Sequence, residues 1–428
     1  MVLEVIALET KAVRFYGDRL SLDTFELPAI KDDEILARVV TDTLCLSTYK
    51  AVKQGKEHIR IPEDVSEKPT IIGHEFCGEL LVVGSKWRGS FSAGEKFILQ
   101  PALNYKGSPF APGYSYQYIG GSATFVIIPS EVMEMGCLLK YEGDSFFSGC
   151  LAEPMSCIIG GFKKMCHSQA GSYELKSGIK PGGQMLILGG AGPMGFGTVD
   201  YAIKRETKPR KIVVVDVFQE KLDRAASIVP VEMAKENGVE LEYLNVSGMS
   251  ASEQKELLLK ASEHNGFDDI FLYAAVRELV ELGDEVLAYD GCMNLFAGPY
   301  DNRFKAEINF YNIHYKYTHM VGLSGGTTQD MIDYLRMVEA GIMNPQVLIT
   351  HIGGLNCVAD AIANLPDLPG GKKLIYNDIK LELTAISDFA DKGKTDPLFA
   401  QLAKQIEKTN GLWNKEAEAY LLQNAPTI

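Results

Sequence analysis

A chain of 428 residues is longer than one hydrophobic core supports, because single cores stop growing at roughly 250 to 300 residues, so two domains are expected. The net charge of −14 excludes nonspecific nucleic-acid binding, which needs a positive field facing the phosphates. No apolar run approaches the length of a membrane span, and Met1 to Glu9 carry acids where a secretory leader carries bases, so no membrane partner and a cytoplasmic location are expected.

From Val2 to Val40 the chain reads as short alternating runs, such as Glu34 to Val40, broken by turn signals including Leu27-Pro28. The same texture continues through Glu79 to Gly84 and Glu95 to Leu99, so the first third is expected to be β-rich. The pattern then changes. Gln184 to Leu188, Lys211 to Val215, Asp269 to Tyr273 and Gly291 to Phe296 are short apolar runs separated by helix-length segments, the rhythm of a parallel sheet buried on both faces. Met320 to Leu323 and the helical Gln329 to Val338 are read as its last strand and helix. Beyond Pro345, the strand-like Gln346 to Ile349 and Leu374 to Tyr376 predict a return to the first domain, with a helical tail from about Ala390. The expected fold class is α/β: a doubly wound parallel sheet domain over 161–344, and a β-rich domain over 1–160 and 345–428.

The strand ending at Leu188 runs into Gly189-Gly190-Ala191-Gly192-Pro193-Met194-Gly195 and then into a helical segment. Gly190, Gly192 and Gly195 therefore form the Gly-x-Gly-x-x-Gly of a Rossmann dinucleotide loop. Gly190 is expected to make the tight turn, Gly192 to admit the pyrophosphate and Gly195 to let helix pack on strand, with Pro193 and Met194 opening the helix whose N-terminus faces the phosphates. Asp216, about 20 residues further on, is placed to accept hydrogen bonds from an adenosine ribose. This favours NAD, while Lys221 and Arg224 keep NADP open.

Eight cysteines scattered over this length make no disulfide framework, so a special cysteine is a ligand or a nucleophile. Cys45, His74 with Glu75, and Glu153 before Pro154 offer the thiolate, imidazole and carboxylate that suit zinc. Singly, each has a structural reading, as a buried small residue, a core histidine or a charge in a first helical turn.

Together, Cys45-Leu46-Ser47, Gly73-His74-Glu75-Phe76-Cys77-Gly78, Glu153-Pro154 and the glycine loop stand in the order found in the zinc-containing medium-chain dehydrogenase/reductase family, which the chain resembles from its N-terminal strands to about Tyr376. The resemblance implies a GroES-like catalytic domain, a homo-oligomer, and one catalytic zinc on Cys45 and His74, with Glu75 and Glu153 taking turns. Such an ion acts as a Lewis acid while hydride passes between substrate carbon and nicotinamide. Ser47 holds the position that relays the alcohol proton; alternatively it only caps the helix begun near Thr48. Two departures stand out: Leu46 replaces a usual Gly, and Thr48 replaces an Asp that orients the ligands. The segment Gln100 to Gly121 also lacks the four cysteines that hold a second, structural zinc in many relatives.

Glu153-Pro154 resembles the polyol dehydrogenases, and Ser324 to Thr327 with Gly370 to Tyr376 resemble the L-sorbose 1-phosphate reductase branch. The substrate this implies is a polyol or ketose, or its phosphate. Lys50, Lys53 and Lys56 recur every third residue, with His58 and Arg60 close behind. They form either a phosphate clamp, for which Lys50, Lys53 and Arg60 are the candidates, or a solvated helix face. Two other readings stand beside this one: a dehydrogenase of an unphosphorylated polyol or of threonine, and a zinc-free nucleotide-binding sensor without turnover.

Overall fold

The computed structural model of the protein describes residues 8–299 and 301–428. It forms two compact units, one of residues up to Glu153 with Thr327–Leu335 and Pro345–Ile428, the other of Pro154–Gly326 with Arg336–Asn344. The chain changes unit at Pro154, Thr327, Arg336 and Pro345, whereas the sequence divides it only after 160 and after 344. Residues 2–7 of the stretch from Val2 to Val40 that reads as strands lie outside the described residues.

The second unit is built on a six-stranded parallel sheet in the order Glu240–Asn245, Lys211–Asp216, Gln184–Leu188, Phe267–Leu272, Leu287–Leu295, His319–Gly322. Its central strands are apolar without alternation because helices cover both faces. Met185, Leu186, Ile187, Ile212, Val213 and Ile270 are fully buried, each contributing about 1.5–3 kcal/mol relative to exposure. The edge strand Glu240–Asn245 escaped the sequence reading for the converse reason: it is only partly buried and carries Glu240 and Glu242, so it shows no apolar run.

In the first unit the main sheet has eight strands. Ile35–Thr43 is its centre, flanked by Lys372–Tyr376 on one side and by Phe76–Val83, then Lys96–Leu99, on the other. Both flanking strands run antiparallel to it, with Leu374 opposite Thr43 and Phe76 opposite Asp42. The expected strand at Gln346 to Ile349 is instead a 3₁₀ turn, Pro345–Leu348, and the strand follows at Ile349–Gly354. Pro345, with no N–H to give a ladder, opens the turn rather than a strand. The helix expected at Gln329 runs from Thr328 to Glu339, but its first part belongs to the first unit.

The tail folds into helices Phe389–Lys392, Pro397–Glu407 and Lys415–Asn424. Trp413, fully buried between the last two, anchors them against Tyr376 and Phe389. Among the described residues no helix is long and apolar enough to cross a membrane.

Candidate active site

Three strand ends of the first unit meet at one place. Ile35–Thr43 exits toward Cys45, Phe76–Val83 begins just after Glu75, and Lys372–Tyr376 begins at Lys372. Backbone bonds lock the junction, from Thr43 N to Glu75 O at 3.0 Å and from Leu44 N to Lys373 O at 3.0 Å. Gly73, immediately before His74, has φ +91, and a Cβ there would lie 2.1 Å from Asp42 Oδ2, so only glycine permits the turn that delivers the imidazole.

The result is a cluster of Cys45, His74 and Glu75 whose donor atoms all lie within 4.8 Å of one another. Zinc bonds of about 2.0–2.3 Å place tetrahedral ligands roughly 3.3–3.8 Å apart, so small side-chain adjustments close this set on one ion. The donor chemistry fits as well. Burial holds the His74 imidazole neutral, with its pKa lowered to about 4. Burial pushes the Cys45 thiol up to about 12, with the Glu75 charge adding to it, a penalty that a bound cation reverses by binding the thiolate.

Thr48, buried on the helix Leu46–Gln54, places Oγ1 3.1 Å from His74 Nδ1. A proton on Nδ1 donated to that oxygen leaves the Nε2 lone pair directed at the cluster. The hydroxyl thus does the orienting that the resemblance assigns to a carboxylate. Ser47 is not the helix cap. Cys45 holds the cap position and no side chain caps the helix, so Ser47 Oγ is available to donate to Cys45 Sγ at 3.0 Å, and it lies 3.2 Å from His74 Nε2.

Glu75 is more constrained than its motif suggested. Both of its oxygens accept from Lys372 Nζ, and Thr43 Oγ1 donates to one of them. Burial opposes both charges. Lys372 nevertheless holds the Glu75 carboxyl below its usual range, and Glu75 holds the ammonium above its own. Glu153 is buried near the start of the helix Ala152–Lys164 and is not one of the clustered three, but its charge acts on Cys45, Lys372 and Tyr114.

Tyr114 has no sequence signal of its own, and Lys372 lies in the Gly370 to Tyr376 segment without a role assigned to it. Tyr114 sits in the Gly/Pro-rich stretch whose Gly113 passes so close to Gly73 that a Cβ would lie 2.0 Å from Gly73 O. Its hydroxyl donates to Ser47 Oγ at 3.0 Å and lies 3.3 Å from His74 Nε2. His58 stacks on its ring, and the Arg60 guanidinium lies 5.1 Å from the ring centroid. The lysine triplet does not share one helix face: the helix ends at Gln54, and Lys56, in the 3₁₀ turn beyond, donates to Ser66. Lys53 is exposed, 5.5 Å from the Tyr49 centroid, whereas Lys50 is partly buried with Cys45 in its field.

In the second unit the glycine loop joins Gln184–Leu188 to the helix Pro193–Lys204, with Gly192 at its cap and Pro193 in its first turn. The left-handed turn falls at Gly189, φ +66, and not at Gly190 as expected. Gly195 is where close packing decides, since its Cβ would lie 2.5 Å from Gly190 O, whereas Gly192 and partly exposed Met194 lie where the loop opens, with nothing within 4 Å of a Gly192 Cβ. The residues thus suit a pyrophosphate approaching an uncapped helix N-terminus. Asp216 ends its strand with a carboxylate that accepts from Ala191 N at 3.1 Å, Val217 N at 2.8 Å and Phe218 N at 3.2 Å. It ties the loop down while keeping part of its acceptor capacity. Lys221 lies over the Phe218 ring, 4.2 Å from the centroid.

No family model matches the chain. Among curated proteins it is 48% identical over 416 residues to the uncharacterized protein YggP of Escherichia coli (strain K12), covering 97% of each chain. It is 45% identical to mannitol-1-phosphate 5-dehydrogenase of Aliivibrio fischeri, over 97% of this chain and 98% of that one. It is 46% identical to L-sorbose 1-phosphate reductase of Klebsiella pneumoniae, over 98% of both. Solved structures of the same fold include 2R,3R-butanediol dehydrogenase from Bacillus subtilis, at TM-score 0.67 and 18% identity over 86% of this chain and 100% of that one. Galactitol-1-phosphate dehydrogenase from Escherichia coli matches at TM-score 0.63 and 19% identity, over 86% and 99%. With motif order, donor cluster and fold in agreement, the chain belongs to the zinc-dependent medium-chain dehydrogenase/reductase family, in the branch that holds mannitol-1-phosphate 5-dehydrogenase and L-sorbose 1-phosphate reductase.

Proposed function

We propose that the protein is a zinc-dependent oxidoreductase that moves a hydride between a nicotinamide cofactor and a polyol or ketose carrying a phosphate. The observation that carries this reading is the Cys45, His74, Glu75 cluster with Ser47 at its mouth, in a chain 45–46% identical to two enzymes named for sugar phosphates. Cys45 and His74 would hold the ion with a carboxylate from Glu75 or Glu153. A zinc ion there would supply the Lewis acidity needed to interconvert alcohol and carbonyl.

The chain's own residues do the rest. Burial raises the Tyr114 pKa far above neutrality, so its hydroxyl stays protonated and acts as a donor to Ser47 Oγ, not as a base. Ser47 Oγ, which both accepts and donates, is the group we assign to relay the alcohol proton, accepting it as it passes its own hydroxyl proton on towards the cofactor ribose and solvent. Asp216 is proposed to receive the adenosine ribose and so favour NAD over NADP, with Gly190, Gly192, Pro193, Met194 and Gly195 around the pyrophosphate and Lys221 beside them.

Of the basic candidates, Arg60 and Lys50 are the pair we assign to the substrate phosphate. Arg60 lies against the ring of Tyr114, whose hydroxyl donates to Ser47 Oγ, and Lys50 lies in the field of Cys45. A guanidinium matches a phosphate with two parallel N–H bonds, which a solvated lysine does not. A panel of polyols, ketoses and their phosphate esters, run with NAD and NADP on zinc-loaded protein, tests the assignment. We expect the esters to be preferred at least tenfold in kcat/KM, with the preference lost in Arg60→Ala. Equal specificity constants for ketose and ester remove the phosphate from the proposal.

We also infer a cytoplasmic homo-oligomer. All eight cysteines are free, as a reducing compartment keeps them. His319–Gly322 is an edge strand, and Tyr289 on the neighbouring strand and Phe310, Tyr311 and Tyr315 on the helix before it are at least 60% exposed. Sedimentation of the wild type against Tyr311→Lys tests this; a monomeric wild type removes the inference.

A further inference from the structure

The tail beyond Tyr376 belongs to the first unit. Its last helix, Lys415–Asn424, carries Glu418, an acid only 3% exposed. The carboxylate accepts from Phe146 N at 2.7 Å, Phe147 N at 2.9 Å and Tyr376 OH at 2.8 Å, and Trp413 Nε1 in turn donates to that Tyr376 oxygen at 2.8 Å. Phe146 and Phe147 open the short helix Phe146–Cys150, whose own cap residue, Ser145, makes no side-chain cap bond. Glu418 therefore satisfies from a distance the donors that a helix start leaves unpaired.

The other end of that helix reaches the metal cluster. Cys150 Sγ donates to Glu75 O at 2.9 Å, and after Leu151 the chain enters the helix that bears Glu153. One rigid turn thus joins the tail's buried acid to the backbone of one candidate ligand and to the segment carrying another. Asn414, the cap of the last helix, is itself fixed by bonds to Gln405 O and Thr409 Oγ1, both at 2.9 Å, so Glu418 is presented from a braced element.

We propose that Glu418 is a positioning residue for the metal centre, acting through the Phe146–Cys150 helix to set where the Glu75 backbone and the Glu153 side chain stand. The proposal rests on the zinc reading above. It explains why a distant extension spends a buried carboxylate on five residues of helix: groups that orient metal ligands typically carry 10–100-fold in metal affinity.

The test is zinc affinity, measured by competition with a chromophoric chelator on the full-length protein. Glu418→Gln keeps the shape and loses the charge, and we expect zinc binding about tenfold weaker. Leu402→Ala, which opens the fully buried interior of the tail without touching this chain of bonds, serves as the control for stability alone. It should melt at least as early as Glu418→Gln yet bind zinc within about twofold of wild type. Tyr376→Phe removes one of the three bonds, and we expect a loss of about threefold, which decides the matter should Glu418→Gln fail to fold. Wild-type affinity in Glu418→Gln and Tyr376→Phe, or an equal loss in Leu402→Ala, overturns the proposal. A wild type that binds no zinc overturns the functional reading instead.

Discussion

Thr48 Oγ1 and His74 Nδ1 stand 3.1 Å apart, a hydroxyl where the family resemblance implies a carboxylate behind the histidine proposed to bind zinc. A neutral oxygen fixes the ring and its tautomer but adds no negative charge to the imidazole. Thr48→Val should therefore weaken zinc binding about tenfold or more, and Thr48→Asp should retain or tighten it. Chelator competition measures both. Unchanged affinity in Thr48→Val would show that the ring is held by its packing alone.

Lys372 and Glu75 form a buried pair, 5% and 1% exposed at the side chain. Removing one partner leaves a buried charge without its counterpart, so Lys372→Met should cost about 3–5 kcal/mol in urea unfolding. Adding Glu75→Gln should recover much of that loss, because the uncompensated charge is then gone. A double variant no more stable than Lys372→Met contradicts the assignment of the pair.

Ser47→Ala should leave zinc content unchanged and lower kcat about a hundredfold, the usual scale for a proton-transferring group. Tyr114→Phe, which removes only the hydroxyl that orients Ser47, should lower it less. Wild-type turnover in Ser47→Ala at full zinc occupancy would remove Ser47 from the proton path.

Burial raises the Glu418 carboxyl to about 7, with Tyr376 and the Phe146 and Phe147 amides opposing the shift and Lys96 acting on it in the same sense as they do. Cys77 and Tyr141 are the other titratable groups in its field, and both are held neutral by burial. The folded protein then binds this proton more tightly than the unfolded chain. Its contribution is fully present below about pH 4.5 and is lost as the pH rises through about 7, at most roughly 3 kcal/mol. The difference in urea stability between wild type and Glu418→Gln should therefore shift toward the variant between pH 5 and 8. A difference that does not change with pH contradicts the raised value.

What could be read from the sequence was set by how local each feature is. Cys45, His74 and Glu75 stand in short motifs whose order resembles that of a dehydrogenase family, so their meeting at one point was legible through that resemblance, and the structure adds why Gly73 precedes His74. The glycine loop announced itself in the same way, although the turn itself falls one residue early, at Gly189. The segment Gly370 to Tyr376 stood out, but the pairing of its Lys372 with Glu75 was not legible, because the two lie 297 residues apart and a lysine at a strand start gives no sign of its partner. Tyr114 hid in a stretch of irregular backbone, where no periodicity shows which ring is buried. The tail read as helix from its pattern, yet the purpose of Glu418 depends on Phe146 and Phe147, 272 and 271 residues earlier.

Cys45 and His74 are proposed to hold one metal ion between them. Metal analysis of the extensively dialysed wild type, beside the double variant Cys45→Ser with His74→Asn, tests it most directly. About one zinc per chain is expected in the wild type and none in the double variant, with both folded by circular dichroism. Zinc retained by the double variant, or a wild type without zinc, contradicts it.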